Sequence, residues 1–165
     1  MRAAFVLLGW LSLLVATPAA ASPMSPPGLV GTSVGGRLTL AFGSPIVGRA
    51  SVDGGWRWND RWHTGARIGV DVGTGSRIYE AGGELGIVLH ASREIDVLLG
   101  WRVGYAHFRF NNVSVDALAV APLAEIFFLA SACIQIRIAP FGMTAYNAGL
   151  WELMIGPEVG VVWRF

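Results

Sequence analysis

The sequence contains no lysine, one cysteine and few charges of either sign. All 12 basic residues are arginine, and charged residues make up 14% of the chain, against about 25% in an ordinary globular domain. The net charge of +1 excludes the basic footprint of a nucleic-acid binder, and no acidic block suggests a disordered tail. A lone thiol, Cys133, cannot close an internal disulfide; it is expected as an inert buried side chain, with an intermolecular bridge as the alternative. No glycine-rich stretch leads from a strand into a helix, so no phosphate loop is present. No cofactor and no metal site are expected.

Beyond the N-terminus, long uncharged apolar runs are missing too. The best window, "ALAVAPLAEIFFLASACIQI" at 117–136, contains Pro122 and Glu125. A bundle of membrane helices would have to absorb many charges at about 2.5–3.5 kcal/mol each, which argues against it. The exception lies at the start. Arg2 precedes the apolar run 3–15, and Ala19 and Ala21 take the small-residue positions before Ser22. Residues 1–21 therefore read as a secretory signal peptide, too short for a comfortable helical span. Residues 22–33, rich in Pro, Ser and Gly, read as a linker. That leaves 34–165 as the folded domain.

What is abundant in that domain is alternation. In 61–73, Trp62, Thr64, Ala66, Ile68, Val70 and Val72 fall on one face. His63, Gly65, Arg67, Gly69 and Asp71 fall on the other. The same two-residue period runs through 77–90, 95–106 and 150–165. One apolar face opposite one face of charges and glycines is the signature of β-strands. The runs reach the 9–11 residues that a tilted strand needs to cross a bilayer. Turn signals place eight strands, near 34–42, 48–58, 61–72, 77–90, 94–107, 117–129, 133–141 and 150–165. The connections alternate between short and long, the longest being 109–116 and 142–149. Pro122, Pro140 and Pro157 fall inside proposed strands, where a missing N–H marks a bulge or a strand end.

The apolar face is expected to point outward. Glycines crowd the charged face, and every tryptophan after the leader lies on the apolar parity. Trp56, Trp58, Trp62, Trp151, Trp163 and Phe165 lie near predicted turns, as in an interfacial aromatic girdle. The charges then line a lumen: Arg37, Arg49, Arg57, Arg67, Arg102, Arg137 and Arg164 against Asp53, Asp71, Glu80, Glu84, Asp96, Glu125, Glu152 and Glu158. An eight-stranded barrel is only wide enough for side chains to fill, so these groups are expected to pair as a plug.

This pattern resembles the small outer-membrane β-barrels of Gram-negative bacteria, the OmpA/OmpX type. The most specific element is the ending. Glu158, Val159, Gly160, Val161, Val162, Trp163, Arg164 and Phe165 match that class's C-terminal pattern of polar, any, Gly, any, any, aromatic, any, aromatic. The resemblance implies an all-β, eight-stranded antiparallel up-and-down transmembrane barrel in the cell outer membrane. It also implies contact with outer-membrane lipid and lipopolysaccharide. Glu158, Gly160, Trp163 and Phe165 would form the signal read by the barrel-assembly machinery.

Three functions remain open. A structural, monomeric barrel supporting the envelope is favoured. A small gated channel is the runner-up, disfavoured because selective pores carry rings of one sign. A lipid-modifying enzyme is third: His107, Ser114 and Asp116 are the right residue types for a relay, but their spacing fits no catalytic motif, and the simpler reading is a girdle histidine beside a polar loop. His63 and His90 fall on the inward parity at strand ends.

Overall fold

A computed structural model describes residues 28–39, 46–58, 61–110 and 113–165. Residues 1–21, read from the sequence as a signal peptide, and residues 22–27 lie outside the described residues. The eight strands are β1 (Gly28–Thr39), β2 (Val47–Trp58), β3 (Trp62–Gly73), β4 (Ser76–His90), β5 (Ile95–Phe110), β6 (Val113–Ser131), β7 (Ile134–Asn147) and β8 (Trp151–Arg164). Each pairs antiparallel with the next, and β8 returns to β1. This is a closed up-and-down barrel with no free edge, as the alternation predicts. At the seam, Leu29 registers with Arg164 and Val34 with Val159. Gly28 and Phe165, the first and last described residues, exchange reciprocal backbone hydrogen bonds of 3.0 Å.

The barrel has two mouths. The terminal mouth carries both described ends of the chain and the β2–β3, β4–β5 and β6–β7 turns. The far mouth carries the other four connections.

Three boundaries differ from the sequence reading. β1 begins at Gly28, so residues 28–33 are strand rather than linker. Leu29, Gly31 and Ser33 face in, and Val30, Thr32 and Val34 face out. The preceding Pro/Ser run hides this alternation. The long connections at 109–116 and 142–149 are also mostly strand. β5 and β6 extend to Phe110 and from Val113, and β7 runs on to Asn147. Connections at the two mouths are therefore similar in length, and 40–46 is the longest at the far mouth.

The third difference concerns proline. Pro140 and Phe141 of β7 lie opposite Pro157 of β8, where the register shifts between Ala139 and Gly142. Two residues face one, which is a β-bulge. Pairing with β6 is interrupted at the same height, between Val120 and Ile126. Below the bulge Gln135, Arg137 and Ala139 face in; above it Thr144 and Tyr146 do. The inward parity thus changes from odd to even, which ends the apparent strand at 141 when sequence alone is read. Pro122 sits within β6 opposite Trp101.

The outer wall is apolar. Trp56, Trp58, Trp62, Trp101, Trp151, Trp163 and Phe165 are all exposed. Trp56, Trp58, Trp62, Trp163 and Phe165 cluster at the terminal mouth, and Trp151 stands at the far mouth. A continuous exposed apolar surface of this kind is foreign to a water-facing protein.

Candidate functional site

The inward-facing side chains form three layers. Near the far mouth is an apolar cluster that includes Val47, Ile78, Phe108, Tyr146 and Met154. Near the terminal mouth is a second, of Leu29, Val88, Leu98, Leu123, Phe127 and Val162. Between them lies a charged layer whose side chains are almost wholly excluded from solvent.

Adjacent strands supply the first contacts. Arg49 registers with Asp71 and lies 3.1 Å from it. Glu84 registers with Arg102 and lies 3.3 Å from it. Longer reaches cross the lumen, Arg67 to Glu125 at 2.7 Å and Arg137 to Asp53 at 2.6 Å, while Arg37 of β1 meets Glu158 of the neighbouring β8 at 2.8 Å. Arg102 also meets Glu80 at 3.0 Å, and Arg49 meets Glu80 at 3.1 Å. Glycines leave the room. A Cβ at Gly69 would sit 3.0 Å from the Arg49 guanidinium, and one at Gly31 would sit 3.0 Å from the Asp53 carboxylate.

Through shared partners these pairs join into one network. Arg37, Arg49, Arg67, Arg102 and Arg137 meet Asp53, Asp71, Glu80, Glu84, Glu125 and Glu158, five cations against six anions. His63 stands 3.7 Å from Glu84. Arg57 forms a separate cluster at the terminal mouth. It lies 2.7 Å from Asp96 and over the Phe127 ring, and His90 meets the same carboxylate at 2.6 Å.

Most of the sequence-predicted lumen residues are therefore brought together. Two are not: Glu152 and Arg164 are half-buried at opposite mouths and make no ion pair among the described residues. Sequence reasoning missed Tyr146, whose hydroxyl accepts from Arg37 at 3.1 Å and donates to Glu80 at 2.8 Å. The bulge had moved it onto the unexpected parity. The two apolar layers were missed as well, because the same residue types cover the outer wall. A pocket beside the network, between β6 and β7, holds about 10 Å³, room for roughly one water.

Outside the barrel, His107 Nδ1 lies 2.7 Å from Asp116 Oδ1, and the Tyr105 hydroxyl donates to the same carboxylate. Ser114 registers with Arg109, one row away from His107, and no hydrogen bond joins Ser114 to His107 among the described residues. A histidine–carboxylate pair is present, and Ser114 is not aligned with it. Cys133 is exposed at the β6–β7 turn, not buried. It lies there because Arg164 of β8 donates its backbone N–H to the Cys133 carbonyl at 2.9 Å, which holds the turn at the rim.

No protein-family model matches the sequence, and no curated protein sequence matches it. Solved structures do match. Neisserial surface protein A is similar at 12% identity with a TM-score of 0.69, over 87% of this chain and all of that one. Ail, the attachment invasion locus protein of Yersinia pestis, is similar at 14% identity and 0.58, over 86% of this chain and all of that one. The N-terminal β-barrel domain of Pseudomonas aeruginosa OprF is similar at 12% identity and 0.52, again over 86% of this chain and all of that one. The chain has the closed eight-stranded fold of the small outer-membrane β-barrels.

Proposed function

We propose that this chain is a structural outer-membrane β-barrel that supports the cell envelope, with a lumen plugged by its arginine–carboxylate layer. The observation that carries the reading is the layering of the interior. A nearly balanced ion-pair network lies between two apolar clusters, and the pocket beside it holds about 10 Å³. Ions crossing this lumen would have to displace partners already held at 2.6–3.3 Å. The exposed apolar wall and the aromatic residues at both mouths suit a bilayer. Residues 1–21 would direct export, with the terminal mouth in the periplasm and the far mouth outside. Glu158, Gly160, Trp163 and Phe165 on the last strand would be read by the barrel-assembly machinery, after which the barrel stands as a monomer among lipid and lipopolysaccharide.

The test is conductance of the refolded mature chain in planar bilayers. A plugged barrel gives no sustained current. Steady ohmic steps that change on substitution of Arg102 would establish the gated-channel reading in its place. Gel mobility before and after boiling checks the architecture in the same preparation, because a closed barrel resists detergent in the cold and migrates differently once unfolded.

A further inference from the structure

The outward charges at the far mouth are few and specifically placed. The connections there, at 40–46, 74–75, 111–112 and 148–150, carry no charged residue. Arg77, Arg109 and Asp116 supply the outward-facing charge at this end of the described wall. Cross-strand register sorts them into rows. The uppermost row is Val72, Arg77, Arg109 and Ser114, on β3, β4, β5 and β6. The next is Val70, Tyr79, His107 and Asp116, and below it come Ile68, Ala81, Tyr105 and Leu118.

Arg77 and Arg109 are direct cross-strand neighbours. Like charges in that position repel, and no carboxylate among the described residues relieves them. Neither guanidinium has a carboxylate within ion-pair distance among the described residues. Asp116, in the next row, is engaged by His107 and Tyr105 in its own row and the row below. Both arginines are exposed. They line an open groove of about 370 Å³ with Val72, Gly73, Gly75 and Ser76.

We propose that this groove binds the phosphate group of a phosphorylated lipid headgroup in the outer leaflet, clamped between Arg77 and Arg109. The inference rests on the outer-membrane reading above. Two adjacent guanidiniums match a phosphate, which accepts bidentate hydrogen bonds from each. The vertical order fits a lipid rather than a free anion. A cationic row stands above an amphipathic row of Tyr, His and Asp, which stands above an apolar row. Successive rows are two residues apart, about 6–7 Å along the strand, so the sequence from headgroup to acyl chain is reproduced on the wall.

The full mature chain, refolded in detergent, is titrated with phosphatidic acid or with phosphatidylcholine and examined by native mass spectrometry. The wild type should retain one phosphatidic acid in preference to phosphatidylcholine. The double variant Arg77→Gln/Arg109→Gln should lose that preference by about tenfold or more for each guanidinium removed. The control Arg61→Gln/Arg93→Gln, with the same charge change at the terminal mouth, should retain it. Equal loss in both variants would reduce the effect to net charge and overturn the site. Competition by millimolar inorganic phosphate as effective as by the lipid would make this a free-anion site and overturn the lipid assignment. Gel mobility of each sample separates the two levels of failure. A heat-modifiable barrel without lipid preference sinks this inference alone, whereas absence of the mobility shift sinks the barrel reading beneath it.

Discussion

Arg67 is the most connected cation of the lumen, and replacing it with methionine tests whether the charged layer is truly dry. Its guanidinium lies 2.7 Å from Glu125, 3.0 Å from Glu84, 3.6 Å from Glu158 and 3.9 Å from Asp53. Each close contact is worth roughly 4 kcal/mol gross at an effective dielectric of about 20, most of which only offsets desolvation. The four carboxylates do not suffer equally. Glu84 keeps Arg102, Asp53 keeps Arg137, and Glu158 keeps Arg37 and Arg49. Glu125 is left with Arg137 at 3.9 Å and becomes nearly orphaned. Breaking a buried pair from one side costs about 3–5 kcal/mol. With a slope near 2 kcal/mol per molar urea, the unfolding midpoint in lipid vesicles, followed by tryptophan fluorescence, should fall by about 2 M. Adding Glu125→Gln should recover about 1 kcal/mol or more, because the stranded charge is gone. A midpoint shift below about 0.3 M, comparable to that of the exposed control Arg93→Met, would refute the reasoning: water would be solvating these carboxylates, and the lumen would be wet.

Other outcomes follow from single contacts. Tyr146→Phe removes the hydroxyl that joins Arg37 to Glu80 and should cost about 1–3 kcal/mol in the same assay. Gly86→Ala places a Cβ 2.8 Å from the Leu99 carbonyl oxygen, whereas a Cβ at Gly83 would sit 3.9 Å from the Gly65 carbonyl oxygen; the first should destabilise by about 1–3 kcal/mol and the second by well under ~1 kcal/mol. A membrane-impermeant maleimide should label Cys133, exposed at the terminal mouth, only after the outer membrane is permeabilised; labelling of intact cells would invert the orientation. Non-reducing gels of the same cells should show no dimer band.

The wall and its charged lining were legible because their chemistry alternates. In β3, Arg67 and Asp71 stand between Ala66, Ile68, Val70 and Val72, and that contrast is visible without any structure. Where both faces are apolar the contrast vanishes. Leu98 and Phe108 face the lumen while Leu99 and Trp101 face out, and composition cannot tell them apart. Parity could have done so in β5, where the frame is fixed by Arg102. Across Pro140 and Phe141 even parity fails, and Thr144 and Tyr146 were lost to a supposed loop. The ion pairs show a further limit. Arg49–Asp71 needs only the register of two neighbouring strands, but Arg67–Glu125 and Arg137–Asp53 span the closed barrel. Which acid each arginine reaches depends on shear and curvature, which no local pattern encodes.

The bulge at Pro140–Phe141 gives β7 something like a reading frame with slack in it. Elsewhere along a stave, losing one residue turns every side chain beyond it to the other face; a deletion at Val103 in β5 would set Arg102 and the residues above it on conflicting faces. Deleting Phe141 instead removes the residue that has no counterpart on β8. Ala139 would still lie across from Glu158, and Gly142 from Gly156, so Thr144 and Tyr146 would keep pointing inward. Chain length can therefore change by one at this point without turning the lumen inside out. A barrel lineage could gain or lose a residue there while its buried charges stay in step.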